Sequence, residues 1–300
     1  MRRTLQRIRR DLAGVTRTVG VPLLAAALLL AAVRPLPAGE TPAPPPSPDT
    51  ALFSPEREQE ILRGVKERIR ESERQSLPLS YREHRVSTDF EGSGESGRRT
   101  EEIYRIVRHR GHQVYIQEMA NGRRLPAEEL AKQEERQRRE LDEDAAKPSG
   151  RERIETIYLT PLLERYALKI AGREVLEGRP ALKIRVDPLP GMFKDGRIAL
   201  RILEKMAGWA WVAEDTLELL RIDVANISPI SIGFGLAARV SLLQGSYRRK
   251  PYPGGAWFAE ALTIRVKARI FLFKTLNRLS ESTFFDVIFP DPGGAAPPSP

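Results

Sequence analysis

The sequence predicts a mainly β fold of the α+β class: about nine to eleven antiparallel strands with two or three helices. Three observations predict it. Beyond residue 79, apolar residues recur at every second position in segment after segment. Turn-forming pairs such as Arg110-Gly111 and Asn121-Gly122 separate these segments. Helical spacing occurs at few places, and there the chain is highly charged.

The first 38 residues read as an export signal or an N-terminal anchor. They hold seven arginines against Asp11. The basic start leads into Val21–Val33, thirteen apolar residues. At ~1.5 Å per residue these reach ~20 Å, short of the ~30 Å hydrocarbon core of a bilayer, which favours a cleavable signal. Cleavage after Ala38 would place Leu36 where a small residue is preferred, so retention as an anchor stays open. Arg2-Arg3 and Arg9-Arg10 fit a twin-arginine signal and equally the basic start of any signal. Residues 39–51 form a Pro-rich linker expected to extend as polyproline II, and 290–300 a tail too polar and Pro-rich to pack.

The folded body is expected over 52–289. Ser54 before Pro55 is a helix start, and Ile61, Leu62, Val65 and Ile69 follow at helical spacing, a narrow stripe with one buried edge. Three strands follow: Tyr81–Glu91, Glu101–His109 and His112–Met119. A charged insertion over 121–150 opens with the Asn-Gly turn and carries a helix over 126–144 that has almost nothing apolar between Leu130 and Leu141. It is expected to protrude or lie loosely as a solvated helix, with a partner-binding or lid role as the other reading. The second half is more regular. Residues 165–188 are a hairpin, 191–207 a connection with helical character, and 208–224 a second hairpin. The segment Leu262–Ile270 alternates apolar residues with Thr263, Arg265, Lys267 and Arg269. Residues 278–289 close the series, and no repeat of 20–50 residues recurs.

Composition narrows the function. The formal charge is +9, but residues 1–38 carry +6 of it, which leaves +3 on the body. A nearly balanced body gives no electrostatic footprint for nucleic acid. With no cysteine, disulfides, thiolate metal sites and a lipidated N-terminal cysteine are excluded. His84, His109 and His112 have no acid at ligand spacing and read as surface strand residues. No nucleophile elbow, zinc-protease helix, phosphate loop or dinucleotide fingerprint is present. The run Tyr247–Lys250 reads as a solvated loop or a contact for an anionic membrane. No enzyme, metal or cofactor is expected, and nothing fixes the oligomeric state.

What remains is the apolar face of the sheet, which needs a cover. Tyr166, Leu168, Ile170, Leu182, Ile184, Val186, Trp209, Trp211, Leu220 and Ile222 hold the apolar phase of their strands and are expected on one face. Lys169, Lys183, Arg185 and Arg221 hold the other. The face is either closed core or the lining of an apolar cavity.

In order along the chain, the 166–188 hairpin with its Gly-Arg-Pro-Ala turn, the Trp209–Val224 hairpin and the late Gly254–Phe271 strand resemble the periplasmic outer-membrane lipoprotein carrier family, LolA-like. The resemblance covers roughly 80–289, and its motifs are short, so their order carries it. It implies an incompletely closed β-barrel of about eleven strands, closed on one side by helices, around an apolar cavity that shields acyl chains. It implies a periplasmic carrier for lipid or lipoprotein acyl chains, with membrane contact through the N-terminal segment. An envelope sensor or protein-interaction module on the same fold, with an envelope protein as partner, is the alternative. The family's ligand-gating arginine sits on an early strand, where Arg82, Arg85, Arg105 and Arg108 all qualify. The insertion and the Pro-rich linker depart from the family pattern.

Overall fold

A computed structural model describes residues 52–75, 78–91, 96–110, 112–145, 162–193, 198–232, 238–270 and 274–290. The signal, the Pro-rich linker and the tail read above lie outside them, apart from Pro290. Helix α1 spans Pro55–Gln75, α2 Ala127–Ala145 and the short α3 Ile198–Leu203. The strands are β1 Ser80–Phe90, β2 Ser96–His109, β3 His112–Ala120, β4 Arg123–Arg124, β5 Tyr166–Leu176 and β6 Arg179–Pro188. They continue with β7 Met206–Ala213, β8 Leu219–Asn226, β9 Ile230–Ile232, β10 Ala238–Pro251, β11 Trp257–Ile270 and β12 Lys274–Ile288.

All twelve described strands join one antiparallel sheet in the order β4-β3-β2-β1-β12-β11-β10-β8-β7-β6-β5, with β9 beside β10. Two of them, β4 and β9, are the short pieces that carry the number past the expected nine to eleven. Among the described residues no pairing joins β5 to β3 or β4, so the sheet is an open, incomplete barrel. Two-residue turns fix the hairpin registers. Glu177-Gly178 and Asn121-Gly122 both have φ positive at both residues, the turn whose twist matches antiparallel strands. β7 and β8 approach so closely that a Cβ on Gly208 would sit 2.0 Å from the Asp223 carbonyl oxygen. Only glycine fits there.

One core cluster contains Ile106 of β2 at one end of the order and Tyr166 and Ile170 of β5 at the other. The sheet therefore curls around a single interior. Helix α1 fills that interior. Ser54 Oγ accepts from the Arg57 N–H, which caps its start. Ile61, Val65 and Ile69, all at least 93% buried, face Leu182, Ile184, Val212 and Ile222. Polar anchors tie the helix down. Glu58 Oε1 accepts from the Ile170 N–H at 2.7 Å. Farther along, Arg249 donates to Ser72 Oγ at 2.6 Å and to the Trp257 carbonyl at 2.7 Å. Arg68 Nε lies 2.7 Å from Glu218 Oε1, and Arg249 Nη1 lies 3.8 Å from the other carboxylate oxygen. The Arg68 contact is one of charges, because its N–H is not aligned on the carboxylate. Tyr247–Lys250, read above as a loop, is part of β10, and its Arg249 is an interior anchor of α1.

Helix α2 differs from its expected loose placement. Its outer face carries Glu128–Lys132, Glu134–Arg138 and Glu135–Arg139 pairs, each with the acid four residues before the base. Its inner face covers the edge of the sheet. Gln133 Oε1 accepts from the Gln117 N–H at 3.2 Å and Gln137 Oε1 from the Tyr115 N–H at 2.9 Å. Gln137 also donates to the Tyr115 carbonyl. These side chains stand where a neighbouring strand would bond β3. Beneath them Leu141 and Leu130 pack on Val107 and on Val114 and Ile116, the last two fully buried. The two leucines that bound the charged run are the two that dock it.

Two outcomes follow. Leu141→Ala is expected to cost about 2 kcal/mol of unfolding free energy, read from the urea midpoint, because it uncovers Val114 and Ile116. The second concerns Glu218, whose carboxyl is held above the usual range by burial, against the pull of Arg249 and Arg68. A raised folded pKa means that the folded state takes up the proton first, so the carboxylate's destabilising effect fades as pH falls. Arg249→Met is therefore expected to cost about 3 kcal/mol at pH 8, with the loss shrinking toward pH 5 in thermal melts across that range.

Candidate functional site

The curl of the sheet gives it an inner face, under α1, and an outer face. Seven of the ten residues expected on one apolar face do meet inside: Tyr166, Leu168, Ile170, Leu182, Ile184, Val186 and Ile222 all pack into the core cluster. Their neighbours from β7 are small, Ala210 and Val212, and that leaves room for the helix. Between sheet and helix lies a cavity of about 30 Å³, walled by apolar atoms including those of Val65, Ile69, Leu162, Tyr166 and Leu219. The Tyr166 hydroxyl donates to the Leu203 carbonyl at 2.7 Å.

Trp209, Trp211 and Leu220 are the correction. They lie on the outer face. Lys183 pairs with Trp211 and Arg185 with Trp209 across the β6–β7 ladder, so the indoles share the cationic phase. Strand β7 is buried along nearly its whole length, so alternation gave no phase for it. The basic residues on β6 did carry the signal, once the register is known. Leu220 leaves the inner phase through a bulge. Val212 pairs with Leu219 and Trp211 with Arg221, which leaves Leu220 as the extra residue. It packs outside with Trp211, Trp257, Ala181 and Ala213.

The outer face keeps its indoles from water with cationic side chains. Lys183 Nζ stands 4.9 Å from the Trp209 ring centre and 5.5 Å from that of Trp211. Arg185 lies 5.0 Å over Trp209 and Arg221 5.2 Å over Trp211. Each cation keeps a carboxylate: Lys183 with Glu174, Arg185 with Asp187, Arg221 with Asp223. Glu174 also accepts from Trp211 Nε1 at 2.8 Å. The aliphatic stems cover apolar rings while the charged ends stay paired, so this is a structural roof.

On β1 the inner phase turns polar. Arg85 donates to both oxygens of Glu83, at 3.0 and 2.8 Å, and lies 4.7 Å over the Tyr104 ring. Ser282 donates to Glu83 at 2.6 Å. Burial raises the Tyr104 hydroxyl pKa, so it stays a neutral donor. Of the four candidate arginines, Arg82 and Arg105 pair with Glu118 away from the interior. Arg108 bonds the Pro78 carbonyl at the rim. Arg85 is the one buried beside the core. The sequence did not separate these four, because arginines occupy both phases of β1 and β2.

The histidines do not converge. His84 Nε2 lies 2.8 Å from Glu101 and His109 Nε2 3.0 Å from Asp142 on α2. Among the described residues no group of three or more His, Asp or Glu could hold a metal ion, and no helix is long and apolar enough to cross a membrane.

No protein-family model matches the chain, and no curated protein matches it. Solved structures similar to it include an outer membrane lipoprotein-sorting protein domain from Vibrio parahaemolyticus, at 14% identity and TM-score 0.36 over 80% of this chain and 94% of that one. A LolA superfamily protein from Nitrosomonas europaea is similar at 10% identity and TM-score 0.33, over 78% and 94%. The MucA/MucB complex of Pseudomonas aeruginosa is similar at 11% identity and TM-score 0.22, over 76% and 94%.

Trp211→Ala is expected to cost about 3 kcal/mol in chemical denaturation, the amount for a packed aromatic, since the indole is 93% buried under its cations.

Proposed function

We propose that the protein is an exported envelope carrier that binds lipid or lipoprotein acyl chains on the inner face of its open sheet. The binding is without catalysis, and α1 is the element that yields. The observation that supports this most is the cover itself. The inner face is largely apolar from β5 to β8, and α1 covers it there with three aliphatic side chains, Ile61, Val65 and Ile69, beside Leu200 and Leu203 of α3. Burying each contributes ~1.5–3 kcal/mol. An acyl chain of about ten methylenes, at ~0.8 kcal/mol each, would bury a comparable amount. Chain and helix therefore bury comparable apolar surface, and the polar anchors of α1 set the cost of the exchange. The small present cavity is the unloaded, closed form in this reading. The basic N-terminal segment and the Pro-rich linker support an extracytoplasmic address and would let the body sit away from the membrane.

A second reading, an envelope sensor or protein-interaction module, draws on β5. Among the described residues that strand ends the sheet order. A partner segment could pair with it.

Lipid extraction of protein purified from a membrane-containing host is expected to yield acyl chains at near-stoichiometric amounts by mass spectrometry. Protein that carries none, and that also fails to take up a long-chain fatty acid added in solution, would exclude the carrier and leave the module.

A further inference from the structure

Alongside the edge strand β5, α1 leaves a groove of about 370 Å³. Leu62 and Leu168 contribute its apolar surface, and Gln59, Arg63, Lys66, Arg70 and Glu164 its polar surface. Leu168 also lines the apolar cavity beneath the helix, so one side chain separates the groove from the interior. The groove has a charge excess. Glu164 serves two of the cations, Arg70 at 2.6 Å and Lys66 at 3.4 Å. Among the described residues Arg63 has no partner. Three positive groups thus face one carboxylate. They also stand three and four residues apart on one helix face, a spacing at which like charges work against the helix. Elsewhere on α1, Arg57 and Arg68 sit three residues before Glu60 and Glu71 and pair with them. The cationic stripe lies only where the helix meets β5.

We propose that this groove is the headgroup subsite for an anionic amphiphile. The acyl chain passes Leu168 into the seam between α1 and β5, and Arg63, Lys66 and Arg70 hold its phosphate or carboxylate at the rim. Two guanidinium forks and an ammonium suit either oxyanion. The inference rests on the acyl-chain reading and adds to it a charge requirement, a headgroup position and a point of admission. An acidic peptide laid along β5 would meet the same cations. The shared Leu168 wall favours the amphiphile, because it links the charged rim to the apolar interior, which a peptide on the edge would not use.

The test uses the full chain, three lipids of matched chain length (a fatty acid, a lysophosphatidylglycerol and an uncharged monoacylglycerol) and an acidic dodecapeptide without an acyl chain. Both anionic lipids are expected to bind about tenfold or more tightly than the monoacylglycerol, a gap that narrows at high salt. Whether the fatty acid or the lysophospholipid binds tighter assigns the oxyanion. Arg63→Gln with Lys66→Gln should remove that preference and leave monoacylglycerol binding unchanged. Glu164→Gln frees Lys66 and Arg70 and should tighten only the anionic lipids, a gain that misfolding cannot imitate. If all three lipids bind alike and the variants change nothing, the headgroup subsite is wrong while the acyl-chain reading stands. If no lipid binds, both fall. If the peptide competes with the anionic lipids through the same residues, the groove is a peptide site and the inference is overturned.

Discussion

The docking of α1 across the inner face is the constraint on which the rest of this structure depends. A twelve-stranded sheet that does not close has one large apolar surface and nothing opposite it. The helix supplies the opposing layer with a stripe only three residues deep. The sheet adapts to that narrow stripe. Where the helix lies, β7 presents Ala210 and Val212, and the bulky indoles of the same strand are turned outward. The polar anchors at Glu58, Arg68 and Ser72 then fix the helix at its start, middle and end. A buried carboxylate between two arginines is a costly way to fix a helix, and its presence at Glu218 marks where the helix must be held in register.

The sheet's polarity also varies along its strand order. From β5 to β11 the inner phase is mostly apolar, with Arg249 of β10 its charged exception, while on β1 and β12 it carries Glu83, Arg85 and serines. Burial of an ion pair there is tolerated because the pair is complete: both carboxylate oxygens of Glu83 accept from Arg85, and the guanidinium also stacks on an aromatic ring. The interior is therefore amphipathic across its width.

Much of this was legible in the sequence, and the failures have physical causes. Strands such as Leu262–Ile270 could be read because one phase is charged and the other apolar. Seven of the ten expected inner residues were legible for the same reason. β7 was not, because a strand buried on both faces has no alternation to read, and its phase is set by its partner. Leu220 was missed because a bulge shifts the phase by one residue, which composition does not announce. Helix α2 was read as loose because its charges were counted and its glutamines were not. Gln133 and Gln137 act on backbone groups of another element, and that role has no signature at helical spacing. Arg85 could not be told from its three neighbours until the strand pairing was known.

The glutamines of α2 have one more consequence. A sheet has two borders, and each can recruit another copy of the same chain. Here amide side chains of α2 bond the β3 border at Tyr115 and Gln117, and at the β5 border Glu58 of α1 bonds the Ile170 N–H. The charged helix is thus an edge cover: it meets with side-chain amides backbone groups that a strand of another copy would otherwise pair with.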